Sequence, residues 1–336
     1  MAENINAMED ALKTIVRLIA AACAAFAFAS AASAQSYPDQ PVRIIVPFAP
    51  AGPTDVIARI LADKLSANLG KQFYVVNQPG ASGNTGTAMV AAAPPDGYTL
   101  LLVSTSLVVN PSMNPKVATD PVKGFAPISN VGVTPNVMSV HPSVPAKTVQ
   151  ELIALIKANP GKFSYASPGV GTTPHLSGEM FRVTQGLDLV PVMFGGAGPA
   201  IQSAVGGHTQ VAFTAMPPAV PQIKEGTLRA LVVTSEKRST ALPDVPTVGE
   251  VGLAGQEAYT LQGLLAPAGT PRAIVDLVYR EVLKVVALPD VKERFAKLGF
   301  DVVANTPDQF TAQIKTEIEK WAKVIRDAKI KVEGAQ

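Results

Sequence analysis

Val42-Arg43-Ile44-Ile45-Val46-Pro47-Phe48-Ala49-Pro50-Ala51-Gly52-Pro53-Thr54-Asp55 sets the pattern of the whole chain. Its first five residues, mostly β-branched, read as a buried strand. Pro47 breaks the run, and Ala49 to Pro53 form a Gly/Pro-rich loop. From Asp55 onward Ile57, Ile60, Leu61, Leu65 and Leu69 recur at helical spacing, and Gly70 stops that helix. Strand, tight loop, amphipathic helix is therefore the repeating unit.

The unit recurs on both sides. Phe73 to Val76 is a second strand, followed by the turn Pro79-Gly80-Ala81-Ser82-Gly83 and a helix to about Ala92. Tyr98 to Val103 is a third strand, ending in Ser104-Thr105-Ser106. A second series runs from a helix at Thr148 to Ala158 through strands at Phe163 to Ala166 and Leu189 to Phe194. Its loops are Gly169-Val170-Gly171-Thr172-Thr173-Pro174, opening a helix near His175, and Gly195-Gly196-Ala197-Gly198-Pro199. Val211 to Phe213 and Leu228 to Thr234 are two further strands. Tyr259 to Leu265 reads as a buried crossing strand, and helices follow at Ala273 to Val286, Asp290 to Leu298 and Pro307 to Ala328. Strands alternating with helices at this spacing predict an α/β fold with mostly parallel or mixed sheets flanked by helices. Two series of similar size predict two lobes, residues 37–140 plus 260–336 and residues 141–259. The C-terminal helices are expected to return to the first lobe.

Composition removes several classes. Of 336 residues, 47% are hydrophobic and 16% charged, too apolar and too weakly charged for disorder. The net charge of +2 comes from scattered basic residues, which leaves no footprint for nucleic acid. Lys13 and Arg17 precede an uncharged apolar run from Leu18 to Ala32, and Ala32-Ser33-Ala34 is an A-x-A cleavage signal. Residues 1–34 are therefore expected to be a signal peptide cleaved after Ala34, delivering the protein to the periplasm. Glu3, Glu9 and Asp10 are unusual ahead of such a segment and leave Met8 as an alternative start. The single cysteine, Cys23, lies inside the apolar run, so the mature chain is expected to hold no disulfide and no thiolate metal ligand.

Five loops draw attention: Pro47 to Asp55, Pro79 to Gly86, Ser104 to Asn110, Pro168 to His175 and Gly195 to Pro199. Each follows a strand and most open a helix. Ligands of α/β sheets bind outside the carboxyl ends of strands. Free loop N–H groups and a helix N-terminus together favour an anion. None of these loops holds Lys or Arg, so a bound anion would be held by dipoles and hydrogen bonds. Asp55 reads either as a residue stabilising the helix start or as a ligand contact, and His175 either faces a cleft or donates to backbone. His141, His175 and His208 share no metal-ligand spacing, and no cofactor or metal is expected. Gly80-Ala81-Ser82-Gly83 misses the G-x-S-x-G elbow at Asn84, and Gly169-Val170-Gly171 misses the dinucleotide fingerprint at Pro174. A hydrolase would have to be assembled from Ser82, Ser106 or Ser167 with His175.

Several collinear stretches resemble the substrate-binding proteins of tripartite tricarboxylate transporters, the Bug family. They are residues 46–55, Asn77-Gln78-Pro79-Gly80-Ala81-Ser82-Gly83-Asn84, Asp96-Gly97-Tyr98-Thr99-Leu100-Leu101, and Leu228 to Thr234. Ala241-Leu242-Pro243-Asp244-Val245-Pro246-Thr247-Val248 and Leu264 to Pro271 complete the set. The resemblance spans residues 37–330. It implies a Venus-flytrap fold that binds a small carboxylate between two lobes and hands it to membrane transporter subunits, working as a monomer and without catalysis. A sensor acting with a signalling partner is the related alternative. The ligand set implied in the first lobe is Phe48, Ala49, Ala51, Gly52, Pro53, Thr54 and Asp55 with Ser104, Thr105 and Ser106. In the second it is Ser167, Gly169, Gly171, Thr172, His175, Gly195, Gly196, Ala197 and Thr214. Ala51 stands where the family usually has Gly, and Gln210 and Thr214 where Asp is common. An Asp near 214 would pair with a ligand amine, so Thr214 points to a di- or tricarboxylate or an aromatic carboxylate.

Overall fold

The computed structural model describes residues 37–114 and 119–330. The segment read as a signal peptide lies outside the described residues. β1 (Val42–Val46) is sealed from solvent at Val42, Ile44, Ile45 and Val46. α1 (Pro53–Leu69) follows, with Gly52 as its cap, Pro53 at the first position and Gly70 ending it in the left-handed conformation. Ile57, Leu61 and Leu65 lie one turn apart and are fully buried. Truncating any one of them to Ala would cost ~2–5 kcal/mol. β2 (Phe73–Asn77), a 3-10 turn at Ala81–Gly83, α2 (Asn84–Ala91) and β3 (Thr99–Ser104) complete the first series. β1 lies parallel between β2 and β3.

Two elements then depart from the sequence expectation. The loop expected from Ser104 to Asn110 is largely a helix, α3 (Ser106–Met113), which tolerates Pro111 near its end. Beyond it runs β4 (Phe125–Val140), sixteen residues that the strand pattern did not reveal. Its register slips between Pro127 and Ser129 and again between Asn130 and Gly132. Those bulges accommodate the proline and polar residues that disguise the strand.

The second series holds α4 (Val149–Ala158), β5 (Phe163–Ser167), α5 (Thr173–Thr184), β6 (Leu189–Met193), α6 (Ala197–Val205), β7 (Val211–Ala215), α7 (Met216–Lys224) and β8 (Arg229–Val233). α5 starts two residues earlier than expected because Thr172, not the residue before His175, is its cap. α7 carries Pro217, Pro218 and Pro221, which hid it from a propensity reading. β9 (Tyr259–Pro267), α8 (Arg272–Ala287), α9 (Pro289–Leu298), β10 (Asp301–Val302) and α10 (Pro307–Asp327) end the described chain.

From Gln40 onward the described chain is one compact unit built on a ten-stranded sheet. The strand order is β2-β1-β3-β9-β4-β7-β5-β6, with β8 and β10 also pairing β4. The flanks are parallel, β1 with β2 and β3, and β5 with β6 and β7. The centre is antiparallel, because β9 runs against β3 and β4, and β4 runs against β7 and β8. The sheet is therefore mixed, less parallel than the alternation of strands and helices suggested. Phe125 to Pro135 of β4 pair with β9, while Asn136 to Val140 pair with β7 and β8, so one strand serves both halves. Trp321, Ile314 and Ile325 on α10 are buried in one cluster with Val103, Leu107 and Leu265. The C-terminal helix thus packs on the half that begins with β1. The other half has its own cluster around Tyr165, Phe181 and Phe213.

Where the chain passes between halves, Asn136, Thr234 and Thr260 form a buried hydrogen-bond network. The Asn136 N–H donates to Thr234 Oγ1 at 2.8 Å, and that hydroxyl donates to the Ala258 carbonyl at 2.5 Å. Asn136 Nδ2 donates to Ser177 Oγ at 3.1 Å, and Asn136 Oδ1 accepts from Thr260 Oγ1 at 3.0 Å. Thr173 Oγ1 closes the network onto Thr260 Oγ1.

Candidate functional site

The loop after β1 is fixed from beneath by Asp55. Its Oδ2 accepts from the Ala51 N–H at 3.1 Å and from Arg59 Nε at 2.9 Å. Its Oδ1 accepts from Arg59 at 3.0 Å and from Asn77 Nδ2 at 2.9 Å. Asn77 also donates to the Phe48 carbonyl at 3.0 Å, tying the loop to the end of β2. Burial alone would raise the Asp55 carboxyl, but the hydrogen bonds from Arg59, Asn77 and Ala51 outweigh it and hold it below its ordinary value. Both oxygens are therefore committed to holding the loop. This framing matters because Ala51 sits at φ 65, a left-handed conformation that a residue with a Cβ rarely adopts.

The loop after β5 is held in a similar way by α5. Thr172 Oγ1 donates to the Gly169 carbonyl at 2.8 Å and accepts from the His175 N–H at 3.4 Å. His175 Nδ1 accepts from the Gly171 N–H at 3.2 Å. An accepting Nδ1 places the ring proton on Nε2 and makes the imidazole neutral. Burial pushes its pKa down to about 4, against the weaker opposing pull of Glu179. Glu179 itself accepts from Tyr165 Oη at 2.7 Å and pairs with Arg182 at 2.6 Å.

Across the sheet the two sets of loops touch. The Ala49 N–H donates to the Gly195 carbonyl at 3.0 Å. Gly198 packs so closely that a Cβ there would lie 2.5 Å from the Pro50 carbonyl oxygen. Gly171, at φ +74, sits where a Cβ would lie 2.3 Å from Asn110 Oδ1. These approaches border a small cavity of about 30 Å³. Of the residues singled out from sequence, Phe48, Gly52, Pro53, Thr54, Asp55, Ser104, Thr172 and Ala197 line it. Pro168, Pro174, Ala215 and Thr260 complete the lining.

Four helices aim their N-terminal ends at this cavity. Gly52, Pro53 and Thr54 belong to the start of α1, and Thr172 and Pro174 to that of α5. Ala197 opens α6, and Ala215 caps α7. First-turn N–H groups have no acceptor within their own helix and give such an end partial positive charge, although Pro53, Pro174, Pro199, Pro217 and Pro218 supply no N–H, so the effect is weakest at α7. Hydroxyls of Thr54, Ser104, Thr172 and Thr260 add polar contacts to a lining that is otherwise mostly apolar. No Lys or Arg stands among the lining residues.

The other residues named from sequence sit behind this surface. Ala49, Gly195 and Gly196 form the contact between the halves, and Ala51, Gly169, Gly171 and His175 shape the loops. Thr105 Oγ1 accepts from the Leu261 N–H at 2.9 Å and so anchors β3 to β9. Ser106 Oγ lies 3.2 Å from Ser104 Oγ. Ser167 and Thr214 are wholly buried in β5 and β7. Gln210 accepts from the Ser164 N–H at 2.9 Å, which gives it a place in the sheet. Asn77 and Thr260 were missed as site residues. For Thr260 a signal existed, since a hydroxyl in the apolar run Tyr259 to Leu265 needs a reason to be there. Among the described residues no group of His, Cys, Asp or Glu is arranged to hold a metal ion, and no helix is long and apolar enough to cross a membrane.

Known proteins share the family and the fold. The family model described as tripartite tricarboxylate transporter family receptor matches residues 57–330. Protein BugT of Bordetella pertussis (strain Tohama I) is 37% identical over 306 residues, covering 90% of this chain and 94% of BugT. The solved structure of the periplasmic binding protein BugD is similar with a TM-score of 0.86 at 34% identity, covering 88% of this chain and 100% of that one. That of R. palustris Rpa4515 with adipate has a TM-score of 0.85 at 30% identity, covering 87% of this chain and 98% of the other. The α/β sheet with flanking helices is the periplasmic binding protein fold, and the chain belongs to the tripartite tricarboxylate transporter receptor family.

Proposed function

We propose that this chain is an exported periplasmic receptor that closes two lobes over a small organic carboxylate and delivers it to a membrane transporter. The lobes are residues 37–140 with 260–336, and residues 141–259. The observation that carries the reading is the convergence of four helix N-termini on one cavity that no cation lines. Each such end favours a nearby negative charge by about 0.3–2 kcal/mol, so four together reach several kcal/mol without a salt bridge. The loops set against each other across the cavity, with Ala49 bonded to Gly195, fit a closed state in which the ligand is held from both sides.

The ligand is a di- or tricarboxylate or an aromatic carboxylate, the class to which the adipate named with Rpa4515 belongs. An amino acid would bring an ammonium group with no free carboxylate to meet it, since both Asp55 oxygens are already bonded and Thr214 is uncharged. Binding proceeds without covalent chemistry. The ring nitrogen of His175 that a base would use is bonded to Gly171, and its low pKa makes it a weak base.

A thermal-shift panel tests this. Adipate, malate, citrate, benzoate, aspartate and the diamide of adipate are added to the purified chain. One dicarboxylate at ~100 times its dissociation constant is expected to add about 2.7 kcal/mol to stability, and its diamide nothing. Equal stabilisation by acid and diamide would refute anion recognition.

A further inference from the structure

A second concavity lies beside the cleft, outside the cavity just described. It is a groove of about 490 Å³. Its walls come from both halves of the molecule. Val56 of α1 and Lys297 of α9 belong to the half built on β1, while Gly198 of α6 and Pro221 of α7 belong to the other. The walls meet where the halves close, since Gly198 abuts the Pro50 carbonyl and Gly299, just after α9, abuts the Met216 side chain at the start of α7. A groove with one wall on each lobe exists in this shape only while the lobes are together.

The lining is mainly proline and aliphatic, with Gln202 and Gln222 among it, and the charged side chains in it are two cations, Arg294 and Lys297, on neighbouring turns of α9. Lys297 also pairs with Glu293 at 2.6 Å, but Glu293 stands outside the lining. The prolines of α7 give the opposite wall a rigid surface with fewer backbone N–H donors.

We infer that this groove is the surface by which the closed receptor docks on its transporter, and that its occupant is an extended acidic segment on the periplasmic face of a membrane subunit. The inference rests on the receptor reading above. Three features select that occupant over others. Arg294 brings to the lining a cation that, among the described residues, no salt bridge engages, and with Lys297, which shares its charge with Glu293, it complements negative charge. A concave groove between two walls takes a protruding segment, whereas a flat bilayer surface does not enter it. Assembly from two lobes makes docking depend on closure, so the transporter meets loaded receptor in preference to empty receptor.

The test uses the full exported chain and the transporter's membrane subunits in phosphatidylcholine nanodiscs. Binding is measured by surface plasmon resonance, with and without the dicarboxylate that gives the largest thermal shift. Wild type is expected to bind more tightly with dicarboxylate. The double variant Arg294→Glu/Lys297→Glu and the single variant Pro221→Glu are expected to lose roughly tenfold or more in affinity, while their thermal shift with the dicarboxylate stays at the wild-type value. Unchanged nanodisc affinity in both variants would overturn the inference. So would wild-type sedimentation with phosphatidylglycerol vesicles that the double variant loses while nanodisc affinity holds, which would assign the groove to a membrane surface. A dimer seen by light scattering in wild type and abolished by the double variant would assign it to a second copy and likewise overturn it. A wild-type chain that no carboxylate stabilises would instead refute the receptor reading, a result obtained before any nanodisc is used.

Discussion

His175 shows how one side chain serves the site without lining it. Its Nδ1 is the acceptor that holds Gly171 in place, and acceptance requires the neutral ring. The pKa falls on folding from 6.5 to about 4, chiefly through burial. At pH 5 the unfolded chain therefore binds a proton that the folded chain refuses. Stability from this group is complete above about 6.5 and is lost as pH falls towards 4, amounting to roughly 3 kcal/mol at full extent. Urea unfolding across that window should show stability rising with pH in wild type, and a flatter dependence in His175→Asn. An identical slope in both would mean that other groups carry the acid sensitivity. Asp55 has the same sign at lower pH, its contribution disappearing only as pH falls through a value below 3.8. Both residues were visible in the sequence as members of marked loops, and each had two readings there. What decided between them was the partner: Asn77 is twenty-two positions from Asp55, and no local pattern announces that pairing.

At the scale of elements, the caps follow from sequence most directly. Thr306 and Gln309 form a reciprocal capping box at the start of α10, each side chain bonding the other's backbone N–H. Thr306→Ala should destabilise the protein by about 0.5–2 kcal/mol in urea unfolding and leave ligand-induced stabilisation untouched. A larger loss, or a changed ligand response, would mean that α10 is coupled to the cleft beyond its packing against α3. Strands β1, β2, β3, β5 and β6 and helices α1, α8, α9 and α10 were legible because an apolar period of two or nearly four dominates them. α3, α7 and β4 were not. Pro111, Pro217 and Pro218 of α7, and Pro127 and Pro135 of β4 all signal breaks, yet each is absorbed by position: near a helix end, in a helix's first turn, or in a strand whose bulges relieve the pairing, while Pro221 is carried inside α7. The antiparallel centre of the sheet was hidden for a different reason. Strand direction is set by which strands become neighbours, and β3 meets β9 across more than 150 residues.

The whole molecule turns on how closely the two halves approach. Gly198 is one of the tightest points, with no room for a Cβ against the Pro50 carbonyl. Gly198→Val should therefore penalise the closed arrangement while leaving each half intact. The expected result is an affinity for the dicarboxylate weaker by roughly 10–100-fold, with a larger radius of gyration by small-angle scattering in its presence and little change in ligand-free stability. Wild-type affinity in this variant would show that the contact between Pro50 and Gly198 is dispensable for capture. The same approach explains why the site was legible only as a set of loops. Sequence marks glycine-rich turns one at a time, whereas the cavity is defined by which turns face each other.

β9 has a place in the sheet order that bears on how the protein comes into being. It is inserted between β3 and β4, although both precede it by more than a hundred residues. A ribosome that has finished β4 has therefore delivered two strands whose shared neighbour does not yet exist, and the gap persists until residue 267 emerges. Until then the inner edges of β3 and β4 have no native partner in the finished sheet. A nascent chain that cannot complete its central sheet early completes its fold late, a timing compatible with the export proposed above.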